Sequence, residues 1–169
     1  MRAIRKRGFG WSLLAWSVLF AVAPALADAR DKAIKHFNRG FRLEVKGDLD
    51  GAIAEYSEAL RLKPDYAQAH NNLGNALGDQ GDADGAIAEY REALRLKPDY
   101  ADAHANLGVA LEDRGNLEGA IAEYREALRL KPDFPQGRIG LGRSLEKQGD
   151  GKGALDQYGS RLEVETQRF

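Results

Sequence analysis

The chain holds three histidines, His36, His70 and His104, and they stand 34 residues apart. Imidazoles are common metal ligands, so a regular column of them could be a metal ladder. The spacing points elsewhere. Side chains one structural unit apart would be separated by about 9 Å, too far to share an ion. No Cys, His, Asp or Glu partner recurs beside each histidine with ligand spacing. Packing is the preferred role for the column, and no metal is expected, with a histidine-dependent metal-binding protein kept as an alternative. Covalent chemistry finds no better footing. Cysteine is absent, Thr166 is the one threonine, and after residue 27 the serines are Ser57, Ser144 and Ser160, none of them in a G-x-S-x-G setting. Gly137, Gly140 and Gly142 follow a helix-breaking Pro-Asp rather than a strand, so they do not form a dinucleotide loop. The chain is expected to be no enzyme and to need no cofactor.

The elements that would position these residues come from a repeat. Gly47, Gly81, Gly115 and Gly149 align at a 34-residue period, as do Pro64, Pro98 and Pro132. GAIAEYREALRLKPDY from Gly85 is nearly repeated from Gly51 and from Gly119. Within a unit, Ala69, Leu73, Ala76 and Leu77 follow a helical spacing, and so do Ala86, Ile87, Tyr90, Ala93 and Leu94 after a Gly-Asp turn. Pro98 stops the second helix, and Asp99 is placed to cap the next. Two short amphipathic helices cannot bury their apolar faces alone, so the units must stack and share one core.

His70-x-x-Leu73-Gly74-x-x-Leu77, then Ala86-x-x-x-Tyr90, then Pro98, resembles the signature of the tetratricopeptide repeat (TPR) family, with His in place of Trp and Leu in place of Tyr. The match spans residues 33 to 166. The resemblance implies an all-α, right-handed superhelical α-solenoid of about four helix-turn-helix repeats, near 33–66, 67–100, 101–134 and 135–168, the last degenerate and capping. In the family the histidine column is usually a packing tryptophan. The resemblance also implies a concave groove, lined by the first helices, that binds a protein or peptide.

Asn38, Asn72 and Asn106 form a second column in that groove. An amide offers an acceptor and two donors, so a ladder of them can hold a peptide backbone without reading its side chains. The TPR domain of the O-linked GlcNAc transferase is similar in using such a ladder. The alternative is that these amides cap or solvate locally. Columns that differ between repeats would carry specificity. Repeat one has Ile34, Phe37, Phe41 and Val45 where repeat two has Gln68, Asn71, Asn75 and Asp79. Beyond these come Glu112 and Asp113, then Arg143 and Lys147, which grades the groove from apolar through amide to acidic and basic. The Phe37/Phe41 stripe could instead join copies into a homo-oligomeric scaffold, or be covered by the N-terminal tail. The Lys/Asn/Arg clamp of TPR proteins that hold acidic chaperone tails is missing, since Phe37 and Asp102 stand where its lysines belong.

The N-terminus reads as an export signal. Arg2, Arg5, Lys6 and Arg7 precede an apolar run of about 13 residues ending at Ala25-Leu26-Ala27, a cleavage pattern. The run is shorter than the ~20 residues that cross a bilayer. A chain starting at Asp28 in the periplasm, or secreted, is expected, with an uncleaved N-terminal membrane anchor as the alternative. Losing residues 1–27 removes four of the 25 basic side chains and none of the 26 acidic ones, which leaves a net charge of −5. That balance argues against nucleic acid and anionic lipid as main partners. Lys35, Arg39 and Arg42 replace apolar residues in repeat one, as a terminal cap requires. Asp156 and Arg161 stand where earlier repeats have Ala88 and Ala93, and Gly153 and Gly159 predict a looser last helix.

Overall fold

The computed structural model describes the backbone of residues 12–166 and the side chains of residues 27–159. Among the described residues eight helices follow one another: α1 (Ser12–Val45), α2 (Leu49–Leu62), α3 (Ala67–Gln80), α4 (Ala83–Leu96), α5 (Ala101–Asp113), α6 (Leu117–Leu130), α7 (Pro135–Gln148) and α8 (Gly151–Thr166). They pack sequentially as about four helix-turn-helix repeats, the all-α class expected from the sequence. α1 runs through the expected cleavage point after Ala27 without a break, and the basic segment ahead of it lies outside the described residues. Among the described residues no helix is long and apolar enough to cross a membrane.

Local chemistry fixes each boundary. Asp48, Asp82 and Asn116 accept hydrogen bonds from the N–H groups of Gly51, Gly85 and Gly119 at 2.9–3.0 Å, starting the second helices. Each such cap contributes about 1 kcal/mol. The turn before it needs a left-handed residue, and Gly81 supplies φ +93° at the end of α3. Pro64, Pro98 and Pro132 follow α2, α4 and α6 and end them. One expectation fails here. Asp99 does not cap α5, because the chain turns once more and the N-cap falls on Tyr100, which makes no side-chain cap bond. The Tyr100 ring lies instead under the Lys97 ammonium, 4.9 Å from its centroid.

The two helices of a repeat are locked by a ring pressed on a glycine. A Cβ on Gly74 would stand 2.6 Å from the Tyr90 ring, and the same contact recurs between Gly40 and Tyr56, Gly108 and Tyr124, and Gly142 and Tyr158. Ala59, Ala93 and Ala127 are fully buried on the other side. One core cluster runs through repeats two to four and a second lies between repeats one and two, with Leu77 packed against both. At the start of the array Lys35, Arg39 and Arg42 are exposed. At the far end the capping pattern differs from expectation. Ala54, Ala88 and Ala122 are themselves exposed, so Asp156 in that column interrupts no packing. The open position is Leu155, 69% exposed, where the equivalent Ile87 and Ile121 are buried. The Arg161 side chain lies outside the described residues.

Candidate functional site on the concave face

First helices meet across repeats, α1 with α3, α3 with α5 and α5 with α7, whereas among the described residues second helices do not meet one another. The first helices therefore take the inner radius of the stack. Between α3 and α5 this inner face opens into a cleft of about 510 Å³. Asn75, Gly78 and Asp79 line one wall, Asn106, Val109 and Asp113 the other, with Glu44 reaching in from α1 and Tyr90 from α4. Burial, then the charges of Asp79 and Glu44, push the Tyr90 hydroxyl well above its ordinary range, so the phenol stays protonated and acts as a donor. It donates to Asn75 Oδ1 at 2.9 Å.

The sequence-derived site residues separate into groups. Asn75, Asn106 and Asp113 are brought together in the cleft. Asn71 is only 4% exposed and does not line it. The asparagine column ties repeats together: Asn72 Nδ2 donates to the Tyr56 hydroxyl at 3.4 Å, and Asn106 Nδ2 donates to Asn71 Oδ1 and Asn75 Oδ1 at 3.1 and 2.9 Å. Asn38 is exposed, as is Phe41, while Phe37 is half-buried with its ring 5.0 Å from that of Tyr66. Glu112 and Arg143 do not form separate acidic and basic stretches. Arg143 grips the Glu112 carboxylate with two hydrogen bonds of 2.7 and 2.8 Å, and Lys147 adds a third at 2.7 Å. Burial alone would raise the Glu112 pKa, but the Arg143 and Lys147 bonds outweigh it and hold it at about 2.

Each histidine has an acidic partner that spacing along one helix did not disclose. His36, His70 and His104 place Nδ1 2.6–2.7 Å from Glu55, Glu89 and Glu123, each 19 residues on and on the second helix of the same repeat. The 34-residue period carries this glutamate column too, so comparing columns rather than neighbours would have found it. His70 Nε2 and His104 Nε2 face the Pro64 and Pro98 carbonyls at 3.0 Å, and Arg138 makes the same contact with Pro132 in repeat four. Both nitrogens of His70 and His104 thus face acceptors, which only the imidazolium satisfies fully. Burial works against the charge, yet the glutamate and carbonyl bonds prevail and both pKa values are raised. Among the described residues no group of three or more His, Cys, Asp or Glu could hold a metal ion.

Family models complete the assignment. A tetratricopeptide repeat model matches residues 71–135 and 122–167, more than half of the chain, and a TPR repeat model matches 46–81. The chain belongs to the tetratricopeptide repeat family. Several solved TPR-like structures share the fold. MamA is 24% identical, with 86% of this chain and 85% of that one covered and a TM-score of 0.77. The O-GlcNAc transferase of Thermobaculum terrenum is 27% identical at a TM-score of 0.66, and the match takes in 69% of this chain and only 22% of that one. The first TPR of Spaghetti (RPAP3), bound to the HSP90 peptide SRMEEVD, is 22% identical over 71% of this chain and 95% of that one, with a TM-score of 0.70. Curated protein sequences give no match.

Proposed function

We propose that this TPR protein is a non-enzymatic adaptor, exported to the periplasm, that holds an extended protein segment along its concave face. TPR domains are typically protein-interaction scaffolds, and the observation that carries the finer reading is the cleft between α3 and α5. It lies on the inner radius, between first helices that pack on one another, and is lined by amide and carboxylate groups. The Spaghetti (RPAP3) repeat is bound to a peptide, which supports a groove of this kind without indicating this chain's partner. Export rests on the N-terminal sequence alone. Its test is the mass of protein recovered from the periplasm, which should begin at Asp28.

Site-specific photocrosslinking tests the groove. A photoreactive residue at Val109, in the cleft, should yield adducts that the same residue at Ala88, exposed on α4, does not. Equal labelling from both positions would sink the reading. A second reading draws on the apolar surface of repeat one, where Phe41 is 52% and Val45 71% exposed. That stripe could join two copies. Light scattering across a concentration series separates the two, since a monomer at every concentration excludes the self-associating scaffold.

A further inference from the structure

One column of the repeat is broken at a single place. The residue four beyond Gly40, Gly74, Gly108 and Gly142 is Glu44, Gly78, Glu112 and Glu146. Where the glutamate is present, the tyrosine hydroxyl of that repeat donates to it: Tyr56 to Glu44, Tyr124 to Glu112 and Tyr158 to Glu146. In repeat two the side chain is missing, Tyr90 turns to Asn75, and the volume left over is part of the cleft. A Cβ on Gly78 would meet Ala86 Cβ at 3.7 Å and the Tyr90 hydroxyl at 4.0 Å, ordinary contacts, so the backbone has room for a side chain there.

The neighbouring junction shows what this face receives. Between repeats three and four the acid on the inner face, Glu112, is met by Arg143 and Lys147 projecting from α7. The equivalents of those two residues on α5 are Val109 and Asp113. Those two positions therefore bring no cation to the inner face at the junction of repeats two and three; Arg114 of repeat three does cross the junction, to Asp84 at 3.1 Å, and neither of that pair lines the cleft. Three carboxylates, Glu44, Asp79 and Asp113, line the cleft with no Lys or Arg among its walls. Among the described residues none of the three forms an ion pair. Asn106 Nδ2 is spent inward on Asn71 and Asn75, and the Tyr90 hydroxyl on Asn75, whose own Nδ2 is left as an amide donor beside the carboxylates. What faces a ligand is three carboxylates beside uncharged amides, and the natural complement of the carboxylates is a group made only of donors and positive charge.

We propose that the cleft between α3 and α5 seats the basic side chain of an arginine- or lysine-bearing segment of a partner protein, as Arg143 and Lys147 are seated on Glu112 one repeat further on. This rests on the peptide-groove reading and gives it a charge preference. A partly enclosed cleft lined by one sign of charge concentrates ligands of the other sign and strengthens each contact made inside it.

Fluorescence anisotropy on the full chain provides the test, with a labelled Gly/Ser peptide carrying three arginines, its glutamine and glutamate counterparts, and a synthetic MRAIRKRGFG. The arginine peptide should bind at least tenfold more tightly than the glutamine form, and the glutamate form should not bind. Asp79→Asn with Asp113→Asn should weaken the arginine peptide by tenfold or more. Gly78→Gln, which fills the cleft and leaves the charge unchanged, should do the same. Circular dichroism checks that each variant keeps its helicity, and Gly78→Ser is the shorter filling if the glutamine variant does not. Equal binding of arginine and glutamine peptides overturns the charge preference and leaves the groove standing. Loss on the charge variant alone, with Gly78→Gln unaffected, overturns seating in favour of diffuse attraction. Tighter binding of MRAIRKRGFG than of the arginine peptide makes the chain's own start the occupant and overturns the partner assignment. Failure of every peptide, whatever its charge, overturns the groove reading as well.

Discussion

The Glu112 side chain is 1% exposed and still charged, because Arg143, Lys147, Ser144 and Tyr124 all donate to it. Its cations are half in water, which tempers what the cluster contributes. Glu112→Gln keeps the volume and removes the charge that α7 closes on, and should lower stability by about 1–3 kcal/mol in urea unfolding at pH 7. The sign with pH follows from a pKa held at about 2, below that of an unfolded carboxylate. The contribution is fully present above the ordinary range near pH ~4.3 and is lost as pH falls from there toward about 2. The gap between wild type and Glu112→Gln should therefore narrow on acidification from pH 5 to pH 3. A gap that widens would show the cluster is not held by this charge. In the sequence Glu112 and Arg143 could be assigned to the right face of the right helices. That they neutralise each other was hidden, because the pairing depends on how far α7 is offset against α5, which a one-dimensional period does not encode.

A helix pair in this array is set by what stands at two glycines four residues apart on α3. Gly74→Ala drives a Cβ to 2.6 Å from the buried Tyr90 ring, which must then shift within its core cluster. The substitution should destabilise by about 1–3 kcal/mol despite the better helix propensity of alanine. At Gly78 the same change meets only ordinary contacts, so propensity decides and stability should rise by up to about 1 kcal/mol. Denaturant midpoints should move in opposite directions, and a loss in both would mean that the inner face tolerates no filling at Gly78 either. At this scale the sequence was most readable. The caps at Asp48, Asp82 and Asn116, the proline stops and the Gly-on-Tyr contact are local or recur at fixed offsets, so the period exposes them. The N-cap of α5 is not legible at Asp99, because a cap depends on one residue of turn geometry, nor is the exposure of Ala54, Ala88 and Ala122, because a small apolar residue looks alike on an inner and an outer helix face.

Across the whole molecule the histidine column works as a row of fasteners. His36, His70 and His104 each join the two helices of their repeat, and His70 and His104 also hold the proline turn that leads in from the repeat before. In a solenoid each unit contacts only its neighbours, so loosening a turn between repeats weakens the coupling along the stack. His70 faces Glu89, Glu92 and the Pro64 carbonyl, and His104 faces Glu123, Glu126 and the Pro98 carbonyl; both are held more basic than a free imidazole. A raised pKa means the folded chain binds protons that the unfolded chain has released. The stabilisation is complete below the unfolded value of about 6.5 and disappears as pH rises through the higher folded value. The array should accordingly unfold at higher urea at pH 6 than at pH 8. His70→Gln with His104→Gln should cost about 1–3 kcal/mol per site at pH 6 and flatten that slope, because glutamine offers donors with no proton to lose. A wild-type midpoint that climbs from pH 6 to pH 8, or a slope unchanged in the double variant, would show that the column packs as neutral rings and that the glutamates opposite it hold something else.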